Sequence, residues 1–406
     1  MGLMHSRKYL ITSTPALEEI IKRQLHQKGS HKCSSTLKSF AASLLFYSVS
    51  AYNFVRKSFL QALPHPQTVR KWFRNVDFQP GVSETALNAV QAKIEDLAKK
   101  TGRKMIFALM VDEMSIRRSI EWDGKNYHGF VDLDTGMSGD DMPEATYALV
   151  FMIVSINGHF KTPVAYYLVH NLSGQERMNL INECLFALHE HNIHVVSITS
   201  DGAASNISMV EGLGAKIRGQ DIVTHFLHPV TKEPIFVLLD GCHMIKLVRN
   251  TFASYTLTDD SGSEIRWSYI NDLVQIQERE GLHAATKVRR KHIRFLKEKM
   301  KDKLAVQVLS TSVADALNFF EHDIRYPEFA NADATARFCR IFNNVLDILN
   351  SRNKAYKNPT QQCIIPENIS SMEIKINERD VLSANIQTVP GSLGDVFLMC
   401  KRSRWV

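Results

Sequence analysis

Met105–Met114 reads MIFALMVDEM, an apolar run that stops in two carboxylates. Six or seven consecutive apolar residues bounded by charge predict a buried strand. With no polar face, such a strand is expected to be covered on both sides, at the centre of a parallel or mixed sheet. Asp112 and Glu113 then lie at its carboxyl end, where open α/β sheets place their chemistry. His194–Gly202, HVVSITSDG, repeats the arrangement and delivers Asp201. Between these runs, Ser119–Trp122 and Lys125–Leu133 are joined by Asp123-Gly124, a hairpin signal. Ala145–Ile156 and Pro163–His170 read as two more strands, Gly174–His191 as a helix and Val195–Thr199 as the strand carrying Asp201. Ile235–Asp240 is a further apolar strand ending in an acid.

Helical spacing governs both flanks. Ala16–Ile21 begins a short helix, and Leu37–Tyr47 is apolar enough for a buried one. Ser50 is a candidate N-cap for Ala51–Leu63. Pro64-His65-Pro66 breaks the chain, and Gln67–Val76 resumes it with Val69, Trp72 and Phe73 on one side and Arg70, Lys71 and Arg74 on the other. Helix, sharp break and short basic helix form the pattern of a helix-turn-helix. Glu84–Lys100 has helical spacing ahead of the central strand. Beyond Asp259, charged segments Trp267–Glu280, His283–Met300, Lys303–Glu321 and Ala332–Asn350 predict a separate helical domain without strands.

Charge sharpens this division. The chain carries a formal +7, but residues 1–104 hold 17 Lys+Arg against 6 Asp+Glu, leaving +11 there and −4 in the remainder. A basic segment before an acid-centred domain points to a polyanionic partner, with a solvated basic face as the plainer reading. No apolar run reaches membrane-span length, so a membrane is not an expected partner. The N-terminus lacks a signal-peptide pattern. Six cysteines show no paired metal-ligand spacing and read as reduced thiols of an intracellular protein.

Asp112 and Asp201, on two central strands, are what a two-metal phosphodiester enzyme needs. Carboxylate oxygens suit Mg²⁺, and paired ions stabilise both the attacking and the leaving oxygen. Capping of the following turn is the plainer role for each. Asp240, His243, Lys246 and Arg249 fall on one face of a helix. A structural or DNA-contacting role suits them better than metal binding.

Strand, hairpin, strand, strand, helix, strand is the layout of an RNase H-like domain. The chain also resembles the P-element-type transposases, including the THAP-domain transposase-derived proteins. The resemblance rests on VDEM (Val111–Met114), Gly129–Leu133, TSDGAASN (Thr199–Asn206), LDGCHMIKLVRN (Leu239–Asn250), KLAVQVLSTSV (Lys303–Val313), FNNVLDILNSR (Phe342–Arg352) and the helix-turn-helix stretch Tyr52–Trp72. These blocks run in order across roughly residues 40–353.

The resemblance implies an α/β and all-α chain. The expected parts are an N-terminal extension (1–35), a DNA-binding helix-turn-helix (36–77), an RNase H-like mixed-sheet domain (84–245), an inserted helical GTP-binding domain (246–353) and a divergent tail (354–406). It implies DNA as partner, with Arg70, Lys71 and Arg74 as contacts, a homo-oligomer and a nuclear location. Mg²⁺ would sit at Asp112 and Asp201. GTP would sit without a P-loop, which this chain lacks. Its expected ligands are Lys303, Asn343, Asp347 and Asn350, the last three at i, i+4 and i+7 of one helix. Ser310 and Ser312 are equally phosphate contacts or caps. The family uses three acids. Glu373, Glu378 and Asp380 lack its context and none is assigned as the third. The chain is therefore expected to be shortened at both ends and to have little or no transposase activity on its own. A catalytically inactive DNA-binding derivative is the alternative, and a GTP-dependent assembly module a more distant one.

Overall fold

The computed structural model describes residues 15–25, 33–72, 79–122, 124–135, 142–218, 221–259, 261–281, 283–351, 356–362, 367, 368 and 370. The chain divides into two compact units, residues 1–79 and 80–406.

The first unit is helical: α1 (Pro15–Leu25), α2 (Ser35–Tyr47), α3 (Val49–Ser58) and α4 (Pro66–Trp72). Leu37, Ala41, Tyr52, Leu63 and Val69 form its core. The cap of α3 is Ser48, which accepts from Ala51 N, and not the expected Ser50. The helix also ends early, at Ser58, because Leu60 and Gln61 take left-handed backbone angles. The tight turn that follows is held from α3. The buried Tyr52 hydroxyl donates to Pro64 O (2.8 Å) and Arg56 Nε to Leu63 O (3.1 Å). The break therefore has fixed geometry, as a helix-turn-helix requires.

The second unit is built on a seven-stranded mixed sheet of order β1-β6-β5-β2-β7-β9-β8. Its strands are β1 (Gly81–Val82), β2 (Phe107–Ser115), β5 (Tyr147–Ser155), β6 (Lys161–Val169), β7 (Val195–Ser200), β8 (His225–Leu227) and β9 (Pro234–Leu239). β2, β5 and β6 form an antiparallel meander, and β7 and β9 continue in parallel from β2. That is the RNase H-like order. The hairpin is a short side ribbon, β3 (Glu121–Trp122) and β4 (Tyr127–His128).

β2 is not buried on both faces. Phe107, Leu109 and Val111 are buried, whereas Met110 is 37% exposed. On β9, Ile235 and Val237 are buried while Phe236 and Leu238 are exposed. The helices α5 (Glu84–Thr101), α6 (Gly174–Glu190) and α7 (Ala204–Gly212) supply Leu87, Leu180, Ile181, Leu185 and Met209 to one core with the inward strand residues. Among the described residues, the face bearing Met110 has no such layer.

From Asp240 the chain turns helical: α8 (Gly241–Ser254), α9 (Ser268–Glu280), α10 (Arg290–Ile293), α11 (Asp302–Val308), α12 (Thr311–Asn318) and α13 (Asp333–Leu349). Phe252, Leu273, Leu317, Phe329 and Phe338 lie in a second core. Three expectations fail here. A small ribbon, β10 (Leu257–Thr258) with β11 (Glu264–Ile265), interrupts the helices. The predicted helix His283–Met300 is only α10 and one 3₁₀ turn, Phe295–Glu298. Buried Gln277 accounts for much of this. It donates to Val288 O and accepts from Ala285 N, so those backbone groups are satisfied without a helix. Lys303–Glu321 likewise divides, at the extended Ser310 that caps α12.

Candidate active site at the carboxyl ends of the central strands

Asp112 and Asp201 belong to neighbouring, parallel-paired segments of the sheet. In the parallel pairing of β2 and β7, Leu109 faces Ile198 and Met110 faces Thr199. Continued past that last pair, the offset brings Asp112, which lies inside β2 and not at its end as expected, level with Asp201, just after β7. Asp112 lies on β2, exposed, on the same side as Met110. Its Oδ1 accepts from Glu113 N at 2.9 Å.

Asp201 opens the turn into α7. Its Oδ1 takes two donors, Ala203 N at 3.0 Å and Asn206 Nδ2 at 2.6 Å. Each acid thus uses one oxygen locally, and its Oδ2 has no protein partner among the described residues. Two hard oxygens at one register, each on a carboxylate already oriented by a neighbour, suit Mg²⁺ as a ligand set. The capping role and the ligand role are compatible, because they fall on different oxygens.

Behind the acids runs a polar chain that the sequence reading missed. Arg177, 5% exposed, pairs through Nη2 with Glu113 Oε1 and donates from Nη1 to Asn206 Oδ1 at 3.2 Å. Its Nε reaches Leu172 O. Arg177 begins a stripe with Leu180, Ile181, Cys184, Leu185 and Leu188, all buried on α6. A lone cation at the head of an apolar stripe was the available signal. Gly174 lets α6 approach α7, since a Cβ there would meet Ser208 Oγ at 2.5 Å.

Beyond β7 and β9 lies a cleft of about 480 Å³, lined by Thr199, Asp240, Cys242, Leu346, Asn350 and Ser351 among others. The last turn of α13 forms one wall. Of the expected nucleotide ligands, Asn343 and Asp347 are joined, Nδ2 to Oδ2 at 2.9 Å, and Gln361 also donates to Asp347 Oδ2. Asn343 Oδ1 accepts from Thr311 N at the start of α12. Asn350 donates to Leu346 O and borders the cleft. Lys303 is exposed on α11, and no hydrogen bond or ion pair joins it to the other three. Ser310 is a cap: it accepts from Val313 N and donates to Gln307 O.

Of the α8 residues, Asp240 caps the helix at Cys242 N and Lys246 pairs with Asp302. Arg249 is wholly buried and donates to Glu298 O and Lys299 O. This motif is structural at Asp240, Lys246 and Arg249. In the first unit, Val69 of α4 is buried and Arg70 and Lys71 are exposed. Arg74, and with it Glu373, Glu378 and Asp380, falls outside the described residues.

Comparison with known proteins agrees with this architecture. Residues 6–72 match the family described as "Transposable element P transposase-like, HTH domain". Residues 78–214 match "TNP-like, RNase H N-terminal domain", and 242–362 match "TNP-like, GTP-binding insertion domain". The chain is 29% identical over 348 residues to the DNA transposase THAP9 of Homo sapiens, covering 84% of this chain and 37% of that protein. It is 27% identical over 305 residues to the Transposable element P transposase of Drosophila melanogaster, covering 74% of this chain and 37% of that one. The chain thus spans 37% of the length of these curated relatives. In fold it is similar to a chain of the Drosophila P element transposase strand transfer complex. The TM-score is 0.73 at 22% identity, over 98% of this chain and 84% of that one.

Proposed function

We infer that this chain is a member of the P element transposase family and propose that it is a DNA-binding transposase or transposase derivative working in the nucleus. In this reading α4 and its basic neighbours hold DNA. Asp112 and Asp201 supply two carboxylates for Mg²⁺-dependent phosphodiester cleavage and strand transfer, and the helical region holds GTP. The observation that carries the proposal is the parallel register of β2 and β7, which, continued past its last pair, sets Asp112 and Asp201 at one level of the sheet.

The chemistry assigned to the residues is limited and definite. Bound Mg²⁺ supplies charge stabilisation at the phosphate. Asp112 and Asp201 each offer a free Oδ2 as ligand. Turn and backbone donors fix the other oxygen, so little reorganisation remains when a cation arrives. Exposure of the carboxyl ends on the side of Met110 leaves room for a duplex end.

Mn²⁺ serves as the probe for Mg²⁺. Titration of the full chain with Mn²⁺, followed by electron paramagnetic resonance, is expected to show binding that Asp112→Ala and Asp201→Ala each weaken at least tenfold. Equal binding by wild type and both variants would remove the cation site. A strand-cleavage assay on transposon ends with Mg²⁺ and GTP separates the catalytic reading from the DNA-binding derivative. Cleavage abolished by Asp112→Ala establishes the former.

A further inference from the structure

We propose that Arg177 is a positioning residue that, acting through Asn206, decides which oxygen of Asp201 faces a cation. The inference rests on the cation-site reading above and adds a control layer to it. A guanidinium has only donors. Arg177 Nη1 lies 3.2 Å from the side-chain oxygen position of Asn206, so that atom must be the carbonyl oxygen. The Asn206 amide is thereby fixed with its NH₂ toward Asp201, at 2.6 Å from Oδ1. Reversed, the amide would set its NH₂ against the guanidinium and its oxygen against a carboxylate, a loss on both sides.

Both groups are secluded: Arg177 is 5% exposed and Asn206 6%. In such a setting a hydrogen bond is strong and an unpaired group costly, so the amide has one stable orientation. Asp201 Oδ1 is then saturated by Asn206 Nδ2 and Ala203 N, and only Oδ2 is left for a metal. Asp201 would bind through one oxygen.

Arg177 is itself held by Glu113, the residue after Asp112. Successive strand residues point to opposite faces. Glu113 therefore reaches the helix layer while Asp112 points away from it. The ion pair ties the end of β2 to α6, and Asn206 ties α6 to the turn bearing Asp201. One buried cation thus sets the spacing of the two acids from behind without touching a metal or DNA.

Partners behind a metal ligand typically change metal affinity by about ten- to a hundredfold when removed. In the Mn²⁺ titration of the full chain, Asn206→Ala and Arg177→Lys are each expected to weaken binding about tenfold. Lys keeps the charge but not the fork. If Arg177 acts through Asn206, its effect shrinks in the double variant, since coupled sites are non-additive. Asn206→Asp, which presents acceptors to both neighbours, should keep the Arg177 contact yet weaken Mn²⁺ through repulsion of Asp201. Thermal unfolding of each variant separates lost affinity from lost fold.

Unchanged Mn²⁺ affinity in folded Asn206→Ala, with Asp112→Ala still impaired, overturns the inference and spares the cation site. Strictly additive effects of Arg177→Lys and Asn206→Ala also overturn it, because the two would then act separately. A wild-type chain whose Mn²⁺ binding ignores Asp112→Ala overturns both readings. If Asn206→Ala does not fold, Arg177→Lys and Asn206→Asp decide by the same criterion.

Discussion

Asp259, in the loop between β10 and β11, is 4% exposed and accepts from four donors. Ser261 Oγ (2.6 Å), Ser261 N (3.0 Å) and Ser263 N (2.9 Å) reach its Oδ1, and Arg337 of α13 reaches Oδ2 at 2.8 Å. Burial opposes its ionisation. The hydrogen bonds from Ser261 and Ser263, with the Arg337 charge, outweigh burial and hold its carboxyl below the ordinary 3.8. A group whose folded pKa is depressed stabilises the fold above its unfolded pKa, and that stabilisation is lost as pH falls through the folded pKa. Urea midpoints of the wild type should therefore drop as pH falls below about 3.8, and Asp259→Asn should flatten that part of the profile. An unchanged profile in Asp259→Asn would show that the clamp carries no linkage. Asp347 presents a different case at the same scale. Its Oδ2 is occupied by Asn343 and Gln361, and its Oδ1 has no protein partner among the described residues. A free carboxylate oxygen suits the N–H donors of guanine. Asp347→Asn is expected to weaken GTP binding at least tenfold in calorimetry and to favour xanthosine triphosphate. Unchanged GTP affinity would take Asp347 out of the site.

Elements are set by a few close approaches. α6 starts at Gly174 because Ser173 caps it and Glu176 closes the reciprocal bond to Ser173 N at 2.8 Å. The same glycine leaves space for Ser208 and the Met209 backbone of α7. Gly174→Ala brings helix propensity but also a clash. Overpacking of this kind costs about 1–3 kcal/mol, whereas the propensity gain is at most about 1 kcal/mol. The expected result is net destabilisation, read as a lower urea midpoint, with weaker Mn²⁺ binding because α6 carries Arg177. A more stable Gly174→Ala with intact Mn²⁺ binding would show that the two helices have slack. The predicted helix 283–300 failed at this scale too. Its residues are helix formers, but Gln277 and the pairing of His292 with Gln307 at 2.9 Å reward a different path.

At the scale of the molecule, charge separates what shape does not. Residues 1–104 carry +11, against +7 for the whole chain, and exposed Arg70 and Lys71 sit on the short helix after the held turn. Neutralised phosphates release counterions, so DNA affinity of the full chain should fall linearly in log–log form with salt. Arg70→Glu with Lys71→Glu should weaken binding across sequences and flatten the slope by about two, one for each phosphate no longer neutralised. A slope unchanged by this double variant would place the DNA surface elsewhere. The open face bearing Met110, Phe236 and Leu238 is the molecule's other large-scale feature. Among the described residues it is bordered at Leu238 by the last turn of α13, while the helix layer of α5, α6 and α7 packs on the opposite side of the sheet.

Local chemistry was enough for some of this. Seven apolar residues ending in Asp112, and the run ending in Asp201, specify strands whatever surrounds them, because burial of such a run leaves few alternatives. Pro64-His65-Pro66 likewise forces a break wherever it occurs. The helix-turn-helix and the RNase H-like layout were therefore legible, and the resemblance of the motifs supplied the nucleotide-binding expectation. Tertiary structure alone decided the rest. Whether β2 is covered on one face or two depends on which helices dock, and no residue of β2 records that. Arg177 meets Asn206 and Glu113 across 29 and 64 residues of chain, so their partnership has no local period to betray it. Arg249 looks like a surface cation in a helix pattern, yet it is wholly buried because the carbonyls of Glu298 and Lys299 come to meet it. Sequence sets what a segment prefers when it is alone. A buried polar group is decided by partners that only the folded chain brings within reach.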